Sequence, residues 1–227
     1  DFTTGSWANF ENPNFKLVSV NTARYDTTKH LATPVISDAK VGLQKISEAL
    51  GDWKAPDDWY KRAIKEKNEW DAYVEKQSGP TNQEEPSYAH AVGAVYRNSD
   101  PSDIVVTAAG GLVGEVVQVW KPKQLNTFET EWGFSCMGYE ISGALGIKMA
   151  KPDQDVVVFV GDGSYLLNNT DIYSSVIYDQ KLIIIVCDNG GHMVINRLQL
   201  AKGGKEYICN LRAARATNLK FVDFENH

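Results

Sequence analysis

The chain has 227 residues and a formal net charge of -6, and 43% of its residues are hydrophobic. This composition is typical of a globular protein, and the acidic balance argues against nucleic acid or an anionic membrane as the main partner. No apolar run approaches the ~18–20 residues of a membrane-spanning helix. Three cysteines without a C-x-x-C spacing favour reduced thiols and a cytoplasmic location.

The first 51 residues predict a short α/β piece. The segment "FKLVSVN", 15–21, predicts a strand, and the segment 37–52 predicts a helix that Ser37 or Asp38 can cap. One strand and one helix bury too little surface to be stable alone. We therefore interpret this region as the end of a central α/β domain, in a chain that is a fragment or begins in mid-protein.

Residues 52–85 have the composition of a connector. "PDDWYKRAIKEKNEWDAYVEKQ" predicts a highly charged helix, and "SGPTNQEEP" follows it as a polar segment rich in Gly and Pro. A functional role for these charges is possible on the pattern alone. A solvated linker helix is the favoured interpretation, because charge runs of this kind usually form a solvent-exposed face.

Residues 86–227 predict an α/β domain. The expected helices are "SYAHAVGAVYRNS", "EVVQVW", "GYEISGALGIKMAK" and "NNTDIYSSVIYD", and the expected strands are "DIVVTAAGG", "NTFET", "VVVFVGD", "KLIIIVCDN" and "LKFVDF". The continuous apolar runs Val156–Val160 and Leu182–Cys187 are typical of parallel strands that are buried on both faces. The predicted fold is a doubly wound parallel sheet with helices on both faces.

Two polar side chains, Asp162 and Asn189, follow two of these strands. The 25 residues between Gly163 and Asn189 suffice for one β-α-β crossover, which returns the chain to the same edge of the sheet. Carboxylate and amide oxygens suit Mg²⁺, which commonly shares its shell with phosphates. Gly161 and Gly163 allow a diphosphate to approach the backbone, and a helix starting near Asn168 offers it free amides.

These residues therefore predict a Mg²⁺-diphosphate site. Taken alone, Gly-Asp-Gly is also typical of a tight turn, and Asn189 could be a helix cap. The pairing of the two groups across one crossover favours the metal site.

The pattern resembles the cofactor signature of thiamine diphosphate (ThDP) enzymes, in which Gly-Asp-Gly is followed one crossover later by Asn, often by Asn-Asn. The second Asn is Gly190 in this chain. The resemblance implies that the side chains of Asp162 and Asn189 and the backbone oxygen of Gly191 ligate Mg²⁺. It also implies contacts to ThDP from Gly161, Gly163 and Ser164.

A second segment, "GFSCMGYEISGALGIKMA", resembles the family's G-x-x-G-x-M-G segment and the small-residue helix after it. The resemblance implies that Met137 props ThDP in its bent conformation and that the carbonyl of Ser135 binds the aminopyrimidine. Composition alone favours a core methionine. The flanking Gly133 and Gly138, and the position before Gly-Asp-Gly, favour the cofactor role.

A third segment, "TAAGGLVGE", follows the first strand of the predicted sheet. Its resemblance to the family implies that Gly110, Gly111 and Leu112 present backbone amides to the diphosphate, although a plain strand-to-helix turn would look the same. Asn196 and Arg197 follow the predicted metal turn and could face substrate or diphosphate. A structural ion pair is an equal alternative for Arg197.

Three further segments, "EPSYAHAVGAV", "SCMGYE" and "INRLQ", resemble one branch of the family. Its members are the inositol-catabolic hydrolases that open a trihydroxycyclohexanedione, a cyclic 1,2-diketone, by hydrolysing a C–C bond. The resemblance extends from about residue 1 through Gln199. It implies a cyclic diketone substrate, a homodimer or homotetramer formed through the ThDP site, and an activating Glu in an N-terminal domain outside these residues. We therefore assign no catalytic side chain in this chain.

Two other functions remain open from the sequence. One is an acetolactate-synthase-like carboligase or 2-oxoacid decarboxylase, against which "SCMGYE" and "INRLQ" argue. The other is a non-catalytic fragment that keeps the metal site for stability and binds ThDP without turnover.

Overall fold

The structure is a computed structural model that describes residues 5, 8–131, 133–211, 222–224 and 226. The chain divides into two compact units, residues 1–64 and residues 65–227. The division falls inside the long charged helix that the sequence predicts as a linker.

The described residues of the first unit form two parallel strands and two α-helices before α3 begins at Asp57. These are β1 (Val18–Asn21), α1 (Arg24–Thr27), a 3-10 turn (Lys29–Leu31), β2 (Thr33–Ile36) and α2 (Ala39–Leu50). The predicted strand and helix are confirmed, and Asp38 caps α2 by accepting hydrogen bonds from the amides of Lys40 and Val41 at 2.9 and 3.3 Å. The prediction missed α1 and β2, because each has only four residues and β2 contains Pro34, which weakens a strand pattern.

The rest of the chain alternates helices and strands. In order they are α3 (Asp57–Ser78), α4 (Tyr88–Asn98), β3 (Ile104–Thr107), α5 (Leu112–Val119), β4 (Phe128–Thr130), α6 (Tyr139–Ala150), β5 (Val156–Gly161), α7 (Asp162–Leu167), α8 (Thr170–Ile177), β6 (Ile183–Cys187) and α9 (Met193–Ala201). Among the described residues, no helix combines the length and the apolar character that a membrane crossing requires.

Strands β3 to β6 form one parallel sheet in the order β4-β3-β5-β6. The chain leaves β3 toward one edge to form β4, and then returns past β3 to form β5 and β6 on the other side. The direction of winding therefore reverses between β3 and β5. Ligands of open α/β sheets bind at such a switch point, in the crevice beyond the carboxyl ends of the strands.

Both faces of this sheet are covered, as the continuous apolar runs predict. Alternate strand residues point to opposite faces. Helices α4 and α5 pack on one face, in a cluster that includes Val92, Val105, Val116, Val157 and Phe159. Helix α6 packs on the other face, in a cluster that includes Val106, Ile141, Ala144, Val158 and Val160. The predicted doubly wound fold is confirmed.

Several local predictions differ from the structure, whereas the helix expected to begin near Asn168 is confirmed. Helix α5 begins at Leu112, earlier than predicted, and α9 was not predicted. Gly-Asp-Gly does not form a loop, because α7 begins at Asp162 itself. The helix expected near Asn168 is α8, which begins at Thr170. The last predicted strand, "LKFVDF", lies largely outside the described residues, and its described end, 222–224, is not a strand.

Candidate cofactor site

A cavity of about 320 Å³ lies where the chain leaves strands β3, β5 and β6. This volume falls in the ~300–1,000 Å³ range of small-molecule sites. Five separate segments of the sequence contribute to its wall, and four of them bring together Gly110, Gly111, Ser135, Met137, Gly161, Asp162, Gly163, Ser164, Asn189 and Gly191. Each of these residues is predicted from the sequence to contact the cofactor or the metal. The cavity thus occupies the switch-point crevice, between the ends of β3 and β5.

Asp162 is the buried acidic group of this cavity, with 1% of its surface exposed. Its Oδ2 accepts a hydrogen bond from the amide of Gly191 at 2.6 Å. Burial raises the pKa of this carboxyl group, and the neighbouring Asp188 raises the pKa further through hydrogen bonding and repulsion. Two carboxyl groups this close disfavour the doubly ionised state, and a cation at the site relieves that repulsion. The proximity of Asp188 to Asp162 is not predicted from the sequence.

Asn189 is held by Tyr88, a residue that the sequence analysis missed. The amide nitrogen of Asn189 donates a hydrogen bond to the hydroxyl oxygen of Tyr88, which leaves the amide oxygen available to a metal. Burial and the charge of Asp162 raise the pKa of the Tyr88 phenol to about 12. The phenol is therefore neutral near neutral pH. No local pattern marks Tyr88, because it lies on α4 and reaches Asn189 only through the fold.

The turn that carries Gly191 is held by the segment 209–211. Gly191 has φ of 137°, and a Cβ at this position would lie 2.3 Å from the carbonyl oxygen of Cys209. The amides of His192 and Leu211 donate across this contact, to Cys209 and Gly190, at 2.8 Å each. This close approach requires glycine at position 191.

The predicted metal ligands form a mixed oxygen set. Among the described residues, no three His, Cys, Asp or Glu side chains group together as a metal site. A cation here would use the Asp162 carboxylate, the Asn189 amide oxygen and the Gly191 carbonyl. The Gly191 carbonyl accepts from the amide of Met193 at 2.9 Å and keeps a second lone pair. Hard oxygen donors of this kind fit Mg²⁺.

The turn after β3 contains a glycine with positive φ and leads directly into a helix. Gly110 has φ of 79°, Gly111 is the N-cap of α5, and the α5 N-terminus leaves backbone amides free for an anion. The side chain of Leu112 is buried in the core with 3% exposure. Leu112 is not among the described residues that line the cavity, and the role of its backbone amide stays a prediction.

The two predicted substrate residues lie on α9. A Cβ on Gly111 would lie 2.9 Å from Nη2 of Arg197, so this guanidinium rests against the glycine turn. Asn196 is buried with 4% exposure, and its Nδ2 donates to Glu206 at 3.4 Å. Neither is among the described residues that line the cavity. His192 does line it, with its ring against Gly163.

A family model confirms the cofactor that the site suggests. The model for the C-terminal TPP binding domain of thiamine pyrophosphate enzymes matches residues 108–226. The chain belongs to the thiamine pyrophosphate enzyme family. Thiamine pyrophosphate is thiamine diphosphate, so the resemblance in the Gly-Asp-Gly and Met137 segments is confirmed at the level of the family.

Three relatives of this thiamine pyrophosphate enzyme chain have the same name. The chain is 33% identical over 236 residues to the 3D-(3,5/4)-trihydroxycyclohexane-1,2-dione hydrolase of Lacticaseibacillus casei, an alignment that covers 94% of this chain and 37% of that protein. The enzymes of the same name from Geobacillus thermodenitrificans and Bacillus subtilis are 34% and 32% identical, over 93% of this chain and 36% and 37% of their own lengths. The chain thus spans little more than a third of these relatives.

Proposed function

We propose that this chain supplies the metal-diphosphate half of the active site of a ThDP- and Mg²⁺-dependent hydrolase. Its substrate would be a cyclic 1,2-diketone, trihydroxycyclohexane-1,2-dione, whose C–C bond is hydrolysed in inositol degradation. The observation that carries the proposal is the single cavity in which Asp162, Asn189 and Gly191 meet the loops of Gly110 and Met137. The name shared by the relatives supports the choice of substrate.

The metal and the diphosphate would bind to different parts of this cavity. Asp162, Asn189 and Gly191 would hold Mg²⁺. The backbone amides of Gly110, Gly111 and Leu112, at the start of α5, would donate to the diphosphate. This division follows from the chemistry of the groups, since carboxylate and carbonyl oxygens attract the cation and amides at a helix start attract the anion.

The two rings of the cofactor would lie against the other wall, which Ser135 and Met137 form. When bound, ThDP supplies the nucleophilic carbon and the electron sink that C–C cleavage requires. Met137 would support its bent conformation, and the carbonyl of Ser135 would accept a hydrogen bond from its amino group. The Glu that exchanges a proton with the pyrimidine ring would come from a domain outside residues 1–227. The active assembly is then a cytoplasmic homodimer or homotetramer built around the ThDP site.

Calorimetric titration of the intact protein with ThDP, with and without Mg²⁺, tests the cofactor assignment. We expect the binding of ThDP to require Mg²⁺. Asp162→Ala should lower the affinity for ThDP by a factor of about ten or more, because the buried carboxylate is the charged metal ligand. Asp153→Ala is the matched control, since it removes an exposed carboxylate from the loop before β5. Equal affinity in wild type and Asp162→Ala would overturn the metal site.

A second assay tests the substrate class. The intact protein should consume the cyclic diketone and release a ring-opened acid, with little turnover of pyruvate. Turnover of pyruvate alone would instead identify a carboligase or decarboxylase. Tight binding of ThDP and Mg²⁺ without turnover of either substrate would identify a non-catalytic protein that keeps the cofactor site.

A further inference from the structure

The loop formed by residues 133–138, here called the Ser135 loop, has an unusual backbone for its position. Ser135 has φ of 52° and Gly138 has φ of 94°. A left-handed conformation is uncommon for a residue with a side chain, and neighbouring interactions must maintain it. Ser135 and Met137 both line the cavity. The backbone of this loop therefore determines the shape of one wall of the site.

Glu131 holds this loop on both sides of Ser135. Its Oε1 accepts a hydrogen bond from the amide of Phe134, and its Oε2 accepts one from the amide of Cys136, each at 2.8 Å. The hydrogen bonds from Cys136 and Phe134 lower the pKa of this carboxyl group. Glu131 therefore remains ionised near neutral pH, and both hydrogen bonds are assisted by its charge.

Glu140 holds the other end of the loop and connects it to a second cofactor segment. Its Oε2 accepts from the amide of Gly138 at 2.8 Å, and its Oε1 accepts from the amide of Ala109 at 3.2 Å. Ala109 directly precedes Gly110, in the turn after β3. The Glu140 side chain is almost fully enclosed, with 1% of the residue exposed. Enclosing a carboxylate is unfavourable unless hydrogen bonds compensate for the lost water, and here each oxygen has an amide partner.

We propose that Glu131 and Glu140 are positioning residues that shape the cofactor cavity, Glu131 through the Ser135 loop alone and Glu140 through both that loop and the Ala109 turn. This inference rests on the proposed function, which places the rings of ThDP at the Ser135 loop and the diphosphate at the glycine turn. The two carboxylates therefore have separable effects. Loss of Glu131 weakens recognition of ThDP only, whereas loss of Glu140 also weakens recognition of the diphosphate.

The test compares two ligands in calorimetric titrations of the intact protein with Mg²⁺ present. The ligands are ThDP and inorganic diphosphate, which lacks the rings. Glu131→Gln and Glu140→Gln preserve the side-chain volume. Each change replaces one acceptor oxygen with a donor, so that one amide loses its partner, and removes the negative charge, so that the hydrogen bond at the remaining oxygen is weakened as well. A charge-assisted hydrogen bond corresponds to about tenfold in an equilibrium constant. We expect Glu131→Gln to weaken ThDP binding about tenfold with diphosphate binding unchanged, and Glu140→Gln to weaken both about tenfold.

Glu129→Gln is the matched control, because it makes the same change on the exposed side of β4, two residues from Glu131. It should change neither affinity. Amide hydrogen exchange provides a readout that does not involve the cofactor. Protection should fall at Phe134 and Cys136 in Glu131→Gln, and at Ala109 and Gly138 in Glu140→Gln. Strand β5 should keep its protection in both variants, and loss there would indicate general unfolding.

The outcomes separate the inference from the proposed function. A wild-type protein that binds no ThDP overturns the proposed function, and amide exchange still decides whether the carboxylates hold the two segments. A wild type that binds ThDP, with variants that bind it equally well, overturns the inference alone. Equal weakening of ThDP and diphosphate by Glu131→Gln also overturns it, because that result indicates a general loss of structure. If Glu140→Gln does not fold, Glu131→Gln still decides the question.

Discussion

The side-chain amide nitrogen of Asn189 donates a hydrogen bond to the hydroxyl of Tyr88, across a separation of 101 residues in the chain. Both residues line the cavity at the ends of the strands. Only the oxygen of an amide ligates a metal ion, so the partner of the nitrogen helps to determine whether that oxygen is available. Tyr88 thus orients a predicted metal ligand through a hydrogen bond, as neighbours of metal ligands commonly do.

Tyr88→Phe should weaken Mg²⁺ binding to the intact protein. The change removes the hydroxyl and keeps the ring, so the amide of Asn189 loses its partner while the packing remains. Loss of such a neighbour typically costs 10–100-fold in metal affinity, and we expect about tenfold in a titration of Mg²⁺ with ThDP present. Tyr96→Phe, on the same helix α4, serves as the control. An unchanged Mg²⁺ affinity in Tyr88→Phe would contradict the role.

Gly191→Ala should destabilise the protein by more than about 2 kcal/mol, because the site combines a glycine conformation with a contact that leaves no room for Cβ. The backbone has φ of 137°, and the Cβ would lie 2.3 Å from the Cys209 carbonyl oxygen. Denaturant unfolding measures the change. Gly146→Ala is the control. Gly146 lies on the exposed face of α6, and a Cβ there would have no atom within 4 Å. It should stabilise by roughly 0.5–1 kcal/mol. Similar stability of both variants would contradict the prediction.

Arg197→Gln should weaken the binding of inorganic diphosphate in the presence of Mg²⁺. The guanidinium rests against Gly111, in the turn that would bind the anion. Because the side chain is exposed, salt screens its charge, and we expect a loss of about threefold at low ionic strength that diminishes at high salt. Lys202→Gln, which removes a positive charge just beyond α9, should have no such effect. A loss that does not depend on salt would assign Arg197 a structural role.

The hydrogen bonds that the Ser135 loop donates to Glu131 should depend on pH. Because its pKa lies below the ordinary value of 4.5 in the folded protein, its stabilising effect is fully present above that value. The effect is lost as the pH falls through the lowered pKa, where the carboxyl group becomes protonated. We expect the exchange protection factors of the Phe134 and Cys136 amides to be constant from neutral pH down to about 4.5 and to fall below it. In Glu131→Gln the same protection factors should be low throughout. Equal profiles in the two proteins would rule out the carboxylate as the cause.

The sequence by itself determined most of the elements, although not α1, β2 and α9, and most of the residues that line the cavity. Continuous apolar runs at Val156–Val160 and Leu182–Cys187 predicted parallel strands. Such strands are buried on both faces, so their sequences do not alternate between apolar and polar residues. The spacing from Asp162 to Asn189 predicted one crossover, and this brings both residues to the same edge. The cofactor followed from these local patterns and from their resemblance to ThDP enzymes.

Only the tertiary structure decided the strand order and the partners of the site residues. The pairing of β3 with both β4 and β5 created the switch-point crevice, and no local signal specifies which strands pair. Tyr88 meets Asn189, Asp188 approaches Asp162, and Glu140 joins Ala109 to Gly138 through the packing of elements that are distant in the chain. Apolar periodicity and motif spacing report which residues are buried and which edge they reach, whereas hydrogen bonds between distant side chains depend on how whole elements pack.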